Sequence, residues 1–421
     1  MAYIATKMKL EEGQKLELKG WVHRLREISG KYFVVLRNAK GLLQVVADNN
    51  TVKGNLRVEA SVKVKGQVKK DERAPKGFEL HATSIEVIGE SGEKWPFHRY
   101  KSTEMEMDYR HLWLRSSKLQ STLKVRTTVV EAATEFFRKK GFFKVDPPIF
   151  VSSACEGGST LFEVPYFGEK AYLSQSAQLY LEAFVPTLEK VWALTPSFRA
   201  EKSRTRRHLT EYWHLEPEAA FVDYKGNMDL QEKLLKFIIQ KVLDERSDVL
   251  EDFGDRSELE TWAKSKWIHM TYEEAIDEAK HKFPKLKIGD DLGTEEERYL
   301  VEKLDNFIFV THYPREMKAF YMKVDETNPK VVLNNDLLAP HVGETIGGSE
   351  REWKLDLLLE NMKMQKLNPK DYEWYLDLRR YGSVPHSGFG LGVERFTVSL
   401  LNLEHIRDVV AFPRFINRVY P

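Results

Sequence analysis

Three constellations in this 421-residue chain have residue types and spacings that could do chemistry. The first is a run of cations between two strand-like segments, Val191 to Phe198 and Glu211 to Phe221. It reads Arg199-Ala-Glu201-Lys-Ser-Arg-Thr-Arg-Arg207-His208-Leu-Thr210. So many cations in a β-loop are unfavourable unless they are solvated or face an anion. A triphosphate would explain why Arg199 stands at the strand end, because strands hold groups more firmly than loops. The second is a pair of carboxylates, Asp336 and Glu344, bracketing Pro340 and Gly343. They could share a hard cation such as Mg²⁺, which prefers oxygen ligands, or they could be salt-bridged. The third is Gly388, Gly390 and Gly392, followed by a helix starting near Val393 with Arg395 in its first turn. Glycines before a helix N-terminus suit an anion or nucleotide. The spacing is not G-x-x-x-x-G-K-[ST], nor G-x-G-x-x-G in a βαβ unit, which excludes a P-loop and a dinucleotide fingerprint.

These groups need a body to position them. The chain is long enough for two or three domains. A hydrophobic fraction of 42% against 31% charged residues is ordinary for a globular protein. The single cysteine, Cys155, excludes an internal disulfide framework and a multi-cysteine zinc site, and suggests a reducing, cytoplasmic setting. No apolar run reaches the roughly 18 residues of a membrane span, and Met1 to Leu10 has no continuous apolar stretch like that of a secretory signal.

Residues 14–90 alternate like strands. Lys15 to Val22, Lys31 to Leu36, Gly41 to Ala47, Ser61 to Val68 and Phe78 to Ile88 are five such runs. They fit a five-stranded OB-type barrel or another small barrel. Charge favours a ligand-binding barrel: the formal net charge is +1, yet residues 1–100 carry +7 and the remainder −6. Arg24, Arg26, Lys31 and Arg37 flank Tyr32 and Phe33, which is either the cation-and-aromatic pairing that single-stranded nucleic acid requires or a solvated basic face beside core aromatics. A linker or hinge is expected at about 94–115. A helix then runs from Ser116 or Ser117 to Gly141 with apolar Leu119, Leu123, Val129, Val130, Ala133, Phe136 and Phe137. A second helix is expected over 229–250 and a charged, helical insertion at about 247–305, to which no chemistry is attached. Strands are expected at Lys318 to Val324 and Lys330 to Leu333.

Taken together, the pieces resemble a class II aminoacyl-tRNA synthetase of the aspartyl/asparaginyl/lysyl subgroup, over nearly the whole chain and in the expected order. Motif 1 resembles the helix ending at Gly141 plus Val145-Asp-Pro147-Pro-Ile-Phe150. Motif 2 matches Phe198-Arg199-Ala-Glu201 and Arg207-His208, and motif 3 matches Gly390-Leu-Gly392-Val-Glu394-Arg395. Gly20, Trp21, Val22, Arg26, Phe33 and Gln44 match the subgroup's anticodon-binding OB domain. The fold implied is α+β: a five-stranded OB barrel in residues 1–93, and an antiparallel sheet flanked by helices in residues 116–421. Gly343-Glu344 to Glu352, Lys318-Ala-Phe-Tyr-Met322, Trp213 to Glu218 and Gln175 to Glu182 are similar to the asparaginyl branch. Leu181 stands where aspartyl members carry a lysine that meets the substrate carboxylate.

The resemblance implies ATP and Mg²⁺ as cofactors, and asparagine and tRNA(Asn) as partners. It also implies a homodimer, through motif 1, and no membrane association. Arg199 would bridge the α-carboxylate and α-phosphate, Glu201 would accept from the adenine amino group, and Tyr212 would stack on adenine. Arg207, His208 and Arg395 would approach the β- and γ-phosphates, with Gly392 beside them, and Asp336 and Glu344 would hold Mg²⁺. Glu156, Ser176 and Gln178 would bind the substrate ammonium. Arg351 would donate to the side-chain carbonyl and Glu216 would accept from the amide. Phe33, Arg26 and Gln44 would read an anticodon base. Gly347 departs from relatives that carry serine there, and the tail keeps Phe412-Pro-Arg414 with no further role implied. The competing readings are an aspartyl enzyme of relaxed specificity, against which Leu181 counts, and a synthetase-derived asparagine synthetase, which would lack the barrel. A binding protein with a dead catalytic domain is disfavoured because Arg199, Glu201, Asp336, Glu344 and Arg395 are all present.

Overall fold

The computed structural model describes residues 9–97, 102–153, 155, 160–202, 205–254 and 256–421. Glu156 and the loop residues Ser203 and Arg204 lie outside the described residues. The chain forms two compact units, one reaching to Ser121 and including Pro421, the other spanning Thr122–Tyr420.

The first unit holds strands β1 (Lys15–Ile28), β2 (Lys31–Asn38), β3 (Gly41–Asp48), β4 (Val52–Lys53), β5 (Ser61–Lys70) and β6 (Phe78–Gly89). The five expected strands are all present, each somewhat longer than the alternation suggested, and the two-residue β4 joins them at the edge. The sheet order is β3-β2-β1-β5-β6-β4, and a short parallel pairing of β3 with β6 closes it into a barrel. Closure removes the free edges that alternating strands would otherwise expose. One face of the pleat fills the interior: Val22, Val34, Leu36, Val45, Val62, Val64, Leu80 and Ile85 form its core. Burial of each such side chain is worth about 1.5–3 kcal/mol before entropy is counted.

In the second unit an eight-stranded sheet runs β13-β14-β15-β16-β17-β12-β11-β7. Its strands are β7 (Phe143–Lys144), β11 (Lys190–Phe198), β12 (Glu211–Ala220), β13 (Ile268–Thr271), β14 (Ile308–Thr311), β15 (Asn334–Ala339), β16 (Gly343–Glu350) and β17 (His386–Gly392). The β14-β15-β16-β17-β12-β11 run is antiparallel, with parallel pairs only at its two ends. A small sheet of β8 (Phe150–Val151), β9 (Glu163–Tyr166) and β10 (Glu169–Leu173) stands apart from it. The helix Ser117–Lys139 buries Val125, Val129, Ala133, Phe136 and Phe137, and Phe137 stacks on Trp192 at 5.1 Å. The helix Tyr224–Leu250 starts five residues earlier than its apolar pattern suggested, because Asp223 caps it: its Oδ1 accepts from the Gly226 N–H at 2.7 Å.

Two expectations fail. Lys318 to Val324 and Lys330 to Leu333 are not strands; they make only the isolated bridges Met322–Arg351, Val324–Val332 and Pro314–Val331. In a strand neighbouring side chains point to opposite faces, but here Phe320 and Tyr321 are both buried. Asn361 also takes the Phe320 carbonyl at 2.9 Å, so that backbone is not free to pair in a ladder. The stretch read as a helical insertion does hold helices Ser257–Lys264, Tyr272–Ala279 and Thr294–Leu304, but it also supplies β13 at the sheet edge.

Candidate active site

The sheet register gathers the chemistry. Asp336 pairs with Gly347, and Gly347 with Gly390. His214 pairs with Gly392, and Glu218 with Gly388. Because alternate residues share a face, Tyr212, His214, Glu216 and Glu218 of β12 lie on one side with the three glycines of β17. A cavity of about 620 Å³ opens over this row. Its walls include Ser176, Gln178, Arg199, Glu201, Arg207, His208, Tyr212, Glu216, Asp336, Glu344, Arg351, Gly392 and Arg395. Residues from motifs far apart in the chain therefore meet in one place. The glycines serve a purpose that sequence alone did not suggest. A Cβ on Gly390 would lie 2.3 Å from His214 Nε2, and one on Gly388 1.9 Å from Glu218 Oε2. They make room for their sheet neighbours and thereby flatten the cavity floor.

At one end the cations are held by carboxylates. Arg395 donates to the Glu344 carbonyl at 2.9 Å and to its carboxylate at 3.1 Å. Arg207 is bonded to Glu297. Arg199 lies 3.9 Å from Glu201 and its guanidinium is 5.8 Å from the Tyr212 ring centre. His208 is bonded to Thr205. Burial, with Arg395, Arg207 and Arg199 nearby, lowers His208 to about 4, so it is a neutral imidazole near pH 7. Burial raises Glu344, but Arg395, Lys318, Arg199 and Arg207 outweigh it and hold the group at about 2. Burial raises Asp336, although Lys318 donates to it at 2.5 Å. Burial and the Glu344 charge push Glu297 up to about 7, against the pull of Arg207.

The Asp336 and Glu344 carboxylates converge over Gly347. The Cβ that Gly347 lacks would be 3.8 Å from Glu344 Oε1 and 3.9 Å from Asp336 Oδ1. Among the described residues no group of three or more His, Cys, Asp or Glu could hold a metal. Two hard oxygen donors fit an ion such as Mg²⁺ that keeps waters and takes phosphate oxygens for the rest of its shell.

The other end is a denser polar network. Glu216 accepts from the Ser176 hydroxyl and, at 2.9 Å, from the Ala177 N–H. Gln178 donates its amide to Glu182 at 3.1 Å. Glu182 is fully enclosed and receives Arg379 at 2.6 Å, Tyr375 at 2.7 Å and His386 at 2.9 Å. Burial disfavours its charge, but Arg379 and His386 win and its pKa falls. Arg351 donates through Nε and Nη2 to Glu218, both at 3.0 Å, and through Nη1 to Ser349 at 2.8 Å. Leu181 packs with Val145, Ala177, Val191 and Ala193 in a small buried cluster.

Lys318, Glu182, Glu218 and Glu297 carry parts of this site, and sequence reasoning gave none of them a role. Lys318 and Glu218 lay inside stretches noted for their resemblance. Glu297 lay in the insertion, with no local signal.

On the barrel, Arg26 pairs with Phe33, and Val35 with Gln44, so Arg26, Phe33 and Gln44 share the outer face. Gln44 donates to Glu79 at 2.8 Å. Arg37 is a correction. It does not join the exposed cations but is buried, forking onto Glu59 at 2.7 and 2.8 Å and reaching the Arg115 carbonyl at 3.1 Å. It shares the face of Phe33 and Val35, opposite the core residues Val34 and Leu36, and is buried because Glu59 and the Arg115 carbonyl cover that end of the face.

The family model described as tRNA synthetases class II (D, K and N) matches residues 102–416, and an OB-fold nucleic acid binding domain matches residues 16–88. The chain is 48% identical to an asparagine--tRNA ligase of Thermococcus gammatolerans over 97% of both chains. It superposes with a TM-score of 0.92, at 48% identity and 97% coverage of both chains, on asparaginyl-tRNA synthetase from Pyrococcus horikoshii complexed with asparaginyl-adenylate. With the Entamoeba histolytica asparaginyl-tRNA synthetase the TM-score is 0.88 at 33% identity, covering 98% of this chain and 97% of that one. With the cavity, its three motifs and the barrel all in place, the chain belongs to the class II tRNA synthetases of the D, K and N family, among the asparagine--tRNA ligases.

Proposed function

We propose that this chain activates L-asparagine with ATP and passes the asparaginyl group to the terminal ribose of tRNA(Asn). The observation that carries this is one cavity uniting a cation-lined end with a polar end lined by Ser176, Gln178, Glu216 and Arg351. In the first step the asparagine α-carboxylate attacks the α-phosphorus, the bond to the bridging oxygen breaks, and pyrophosphate leaves. In the second, the ribose hydroxyl attacks the adenylate carbonyl and AMP leaves. Neither step needs a protein nucleophile; positioning and charge stabilisation supply the catalysis.

Arg199, at the end of β11, bridges the α-carboxylate and the α-phosphate. Glu201 accepts from the adenine amino group and Tyr212 stacks on the ring. Arg207 and neutral His208 approach the β- and γ-phosphates, and Arg395 meets the γ-phosphate with Gly392 beside it. Asp336 and Glu344 would hold Mg²⁺, which would supply charge neutralisation of the phosphates. Ser176 and Gln178 take the substrate ammonium, together with Glu156. Because the Gln178 amide nitrogen is spent on Glu182, its oxygen is left to accept from a cation. Arg351 donates to the side-chain carbonyl and Glu216 accepts from the amide NH₂. An aspartate carboxylate beside Glu216 and Glu218 would be repelled and costly to bury.

On the barrel Phe33 stacks on an anticodon base, with Arg26 and Gln44 at its edge. Residues 1–93 are the anticodon domain, 94–115 a hinge, and 116–421 the catalytic domain. A homodimer is supported by the exposed apolar Phe143, Phe150 and Phe167 around motif 1. A cytoplasmic location is supported by the single cysteine and the absence, among the described residues, of a helix long and apolar enough to cross a membrane. ATP–pyrophosphate exchange with asparagine and with aspartate tests the reading. Exchange with asparagine should exceed that with aspartate by several orders of magnitude, and equal exchange would refute it.

A further inference from the structure

The helix Thr294–Leu304 opens with three acidic residues, Glu295, Glu296 and Glu297. Only Glu297 is buried, at 6% exposure. It lies one turn before Leu300 and Val301, which are sealed into a core with Tyr272, Ile276, Ile308, Val310 and Leu338. At that position an apolar side chain would continue the core at no electrostatic cost. A carboxylate there must be compensated, because an isolated buried charge is expensive. The compensation comes from two other elements. Glu297 Oε2 accepts from Arg207 Nη1, on the loop between β11 and β12, and at 3.0 Å from the backbone N–H of Glu344, in β16.

Gly343 is shaped around the same atom. Its φ is +82°, and a Cβ there would lie 2.5 Å from Glu297 Oε2 and 3.0 Å from Arg207 Nη1. Three elements distant in sequence thus close on one oxygen. Arg207 and Glu344 both line the cavity.

We propose that Glu297 is a positioning residue for ATP: it fixes the Arg207 guanidinium and the first residues of β16 where the triphosphate must pass. The proposal rests on the reading that Arg207 meets the β- and γ-phosphates. Glu297 touches no substrate; it acts through Arg207. Without it the guanidinium at the end of a mobile side chain would be ordered only when ATP arrives, and that ordering would weaken ATP binding. The helix also gives the stretch 251–310 a function in the reaction: it delivers one carboxylate to the phosphate end.

The test is ATP–pyrophosphate exchange on the full chain with E297Q, R207A and the double variant. E297Q keeps the shape and one acceptor for the Glu344 N–H but loses the charge that holds Arg207. The KM for ATP should rise roughly tenfold, with the KM for asparagine unchanged. The double variant should match R207A alone, because the effect passes through Arg207. An unchanged KM for ATP in E297Q, an equal rise in both KM values, or additive effects in the double variant would overturn the proposal. If R207A itself leaves the KM for ATP unchanged, the underlying role of Arg207 falls and the proposal falls with it, whereas a normal R207A defect with a silent E297Q removes Glu297 alone. Should E297Q fail to fold, E297D serves: it keeps the charge but withdraws the carboxylate, and the same split between the two KM values is expected.

Discussion

The barrel and the catalytic unit both gather cations toward a polyanion, but by opposite means. On the barrel Arg24 and Arg26 are exposed, beside a half-buried Phe33. In the catalytic cavity three arginines are sheltered and already bonded to a carboxylate: Arg395 to Glu344, Arg207 to Glu297, Arg351 to Glu218. Water solvates the first set, so those side chains stay mobile and their attraction is long-ranged and screened by salt. The second set cannot be left unpaired, so each cation comes with a protein anion that fixes its place. Surface capture tolerates imprecision; phosphoryl chemistry at a single phosphorus does not.

That contrast can be broken by mutation. The largest effect should come from Arg395→Ala, which removes a preorganised phosphate contact and should lower the rate of ATP–pyrophosphate exchange by roughly 100- to 1,000-fold while the circular dichroism spectrum is retained. Near-normal exchange would take Arg395 out of the ATP site. Glu218→Gln comes next. Leaving Arg351 buried without its partner charge should cost about 3–5 kcal/mol of stability, read as a lowered urea midpoint, and should raise the KM for asparagine. Phe33→Ala on the barrel should be milder and separable: a rise of roughly tenfold in the KM for tRNA, from about 1–3 kcal/mol of lost stacking, with exchange kinetics unchanged. If both stages fall together, the barrel face is structural. Raising the salt concentration should sharpen the comparison further, increasing the KM for tRNA steeply and the KM for ATP little.

The smallest effect concerns pH. Burial and neighbouring cations hold His23, His208 and His405 each at about 4. In the unfolded chain such groups take up protons near pH 6.5. Their contribution to stability is therefore complete above pH 6.5 and is lost as the pH falls toward 4. Glu297, raised to about 7, works in the opposite direction, adding stability as the pH falls from 7 toward the usual carboxylate range. Asp336 and Glu218, which burial also raises, act in the same direction as Glu297; the three histidines are expected to prevail, giving a lower urea midpoint at pH 5 than at pH 7.5. An equal or higher midpoint would show that these histidines are solvated.

Much of this was legible along the chain because the signals are local. Strand alternation marked the five barrel strands, and two strands with a cationic loop between them marked the β11–β12 hairpin. The glycines ahead of Val393 marked the start of a helix. Strand prediction failed at Lys318 to Val324 because tertiary packing buried adjacent aromatics on both sides of the chain.

The sequence by itself determined which residue types are available and much of where they stand: Arg199 at a strand end, Asp336 and Glu344 bracketing Pro340 and Gly343, Arg395 in a first helical turn. Only the tertiary structure decided their partners. Nothing local distinguishes Arg37, buried against Glu59, from Arg26, which faces solvent: both lie on the face of Phe33, and only the approach of Glu59 and the Arg115 carbonyl over Arg37 separates them. Nothing near Glu297 announces Arg207, ninety residues away. Ion pairs are set by distance in space, and only the folded sheet brings those charges within reach of one another.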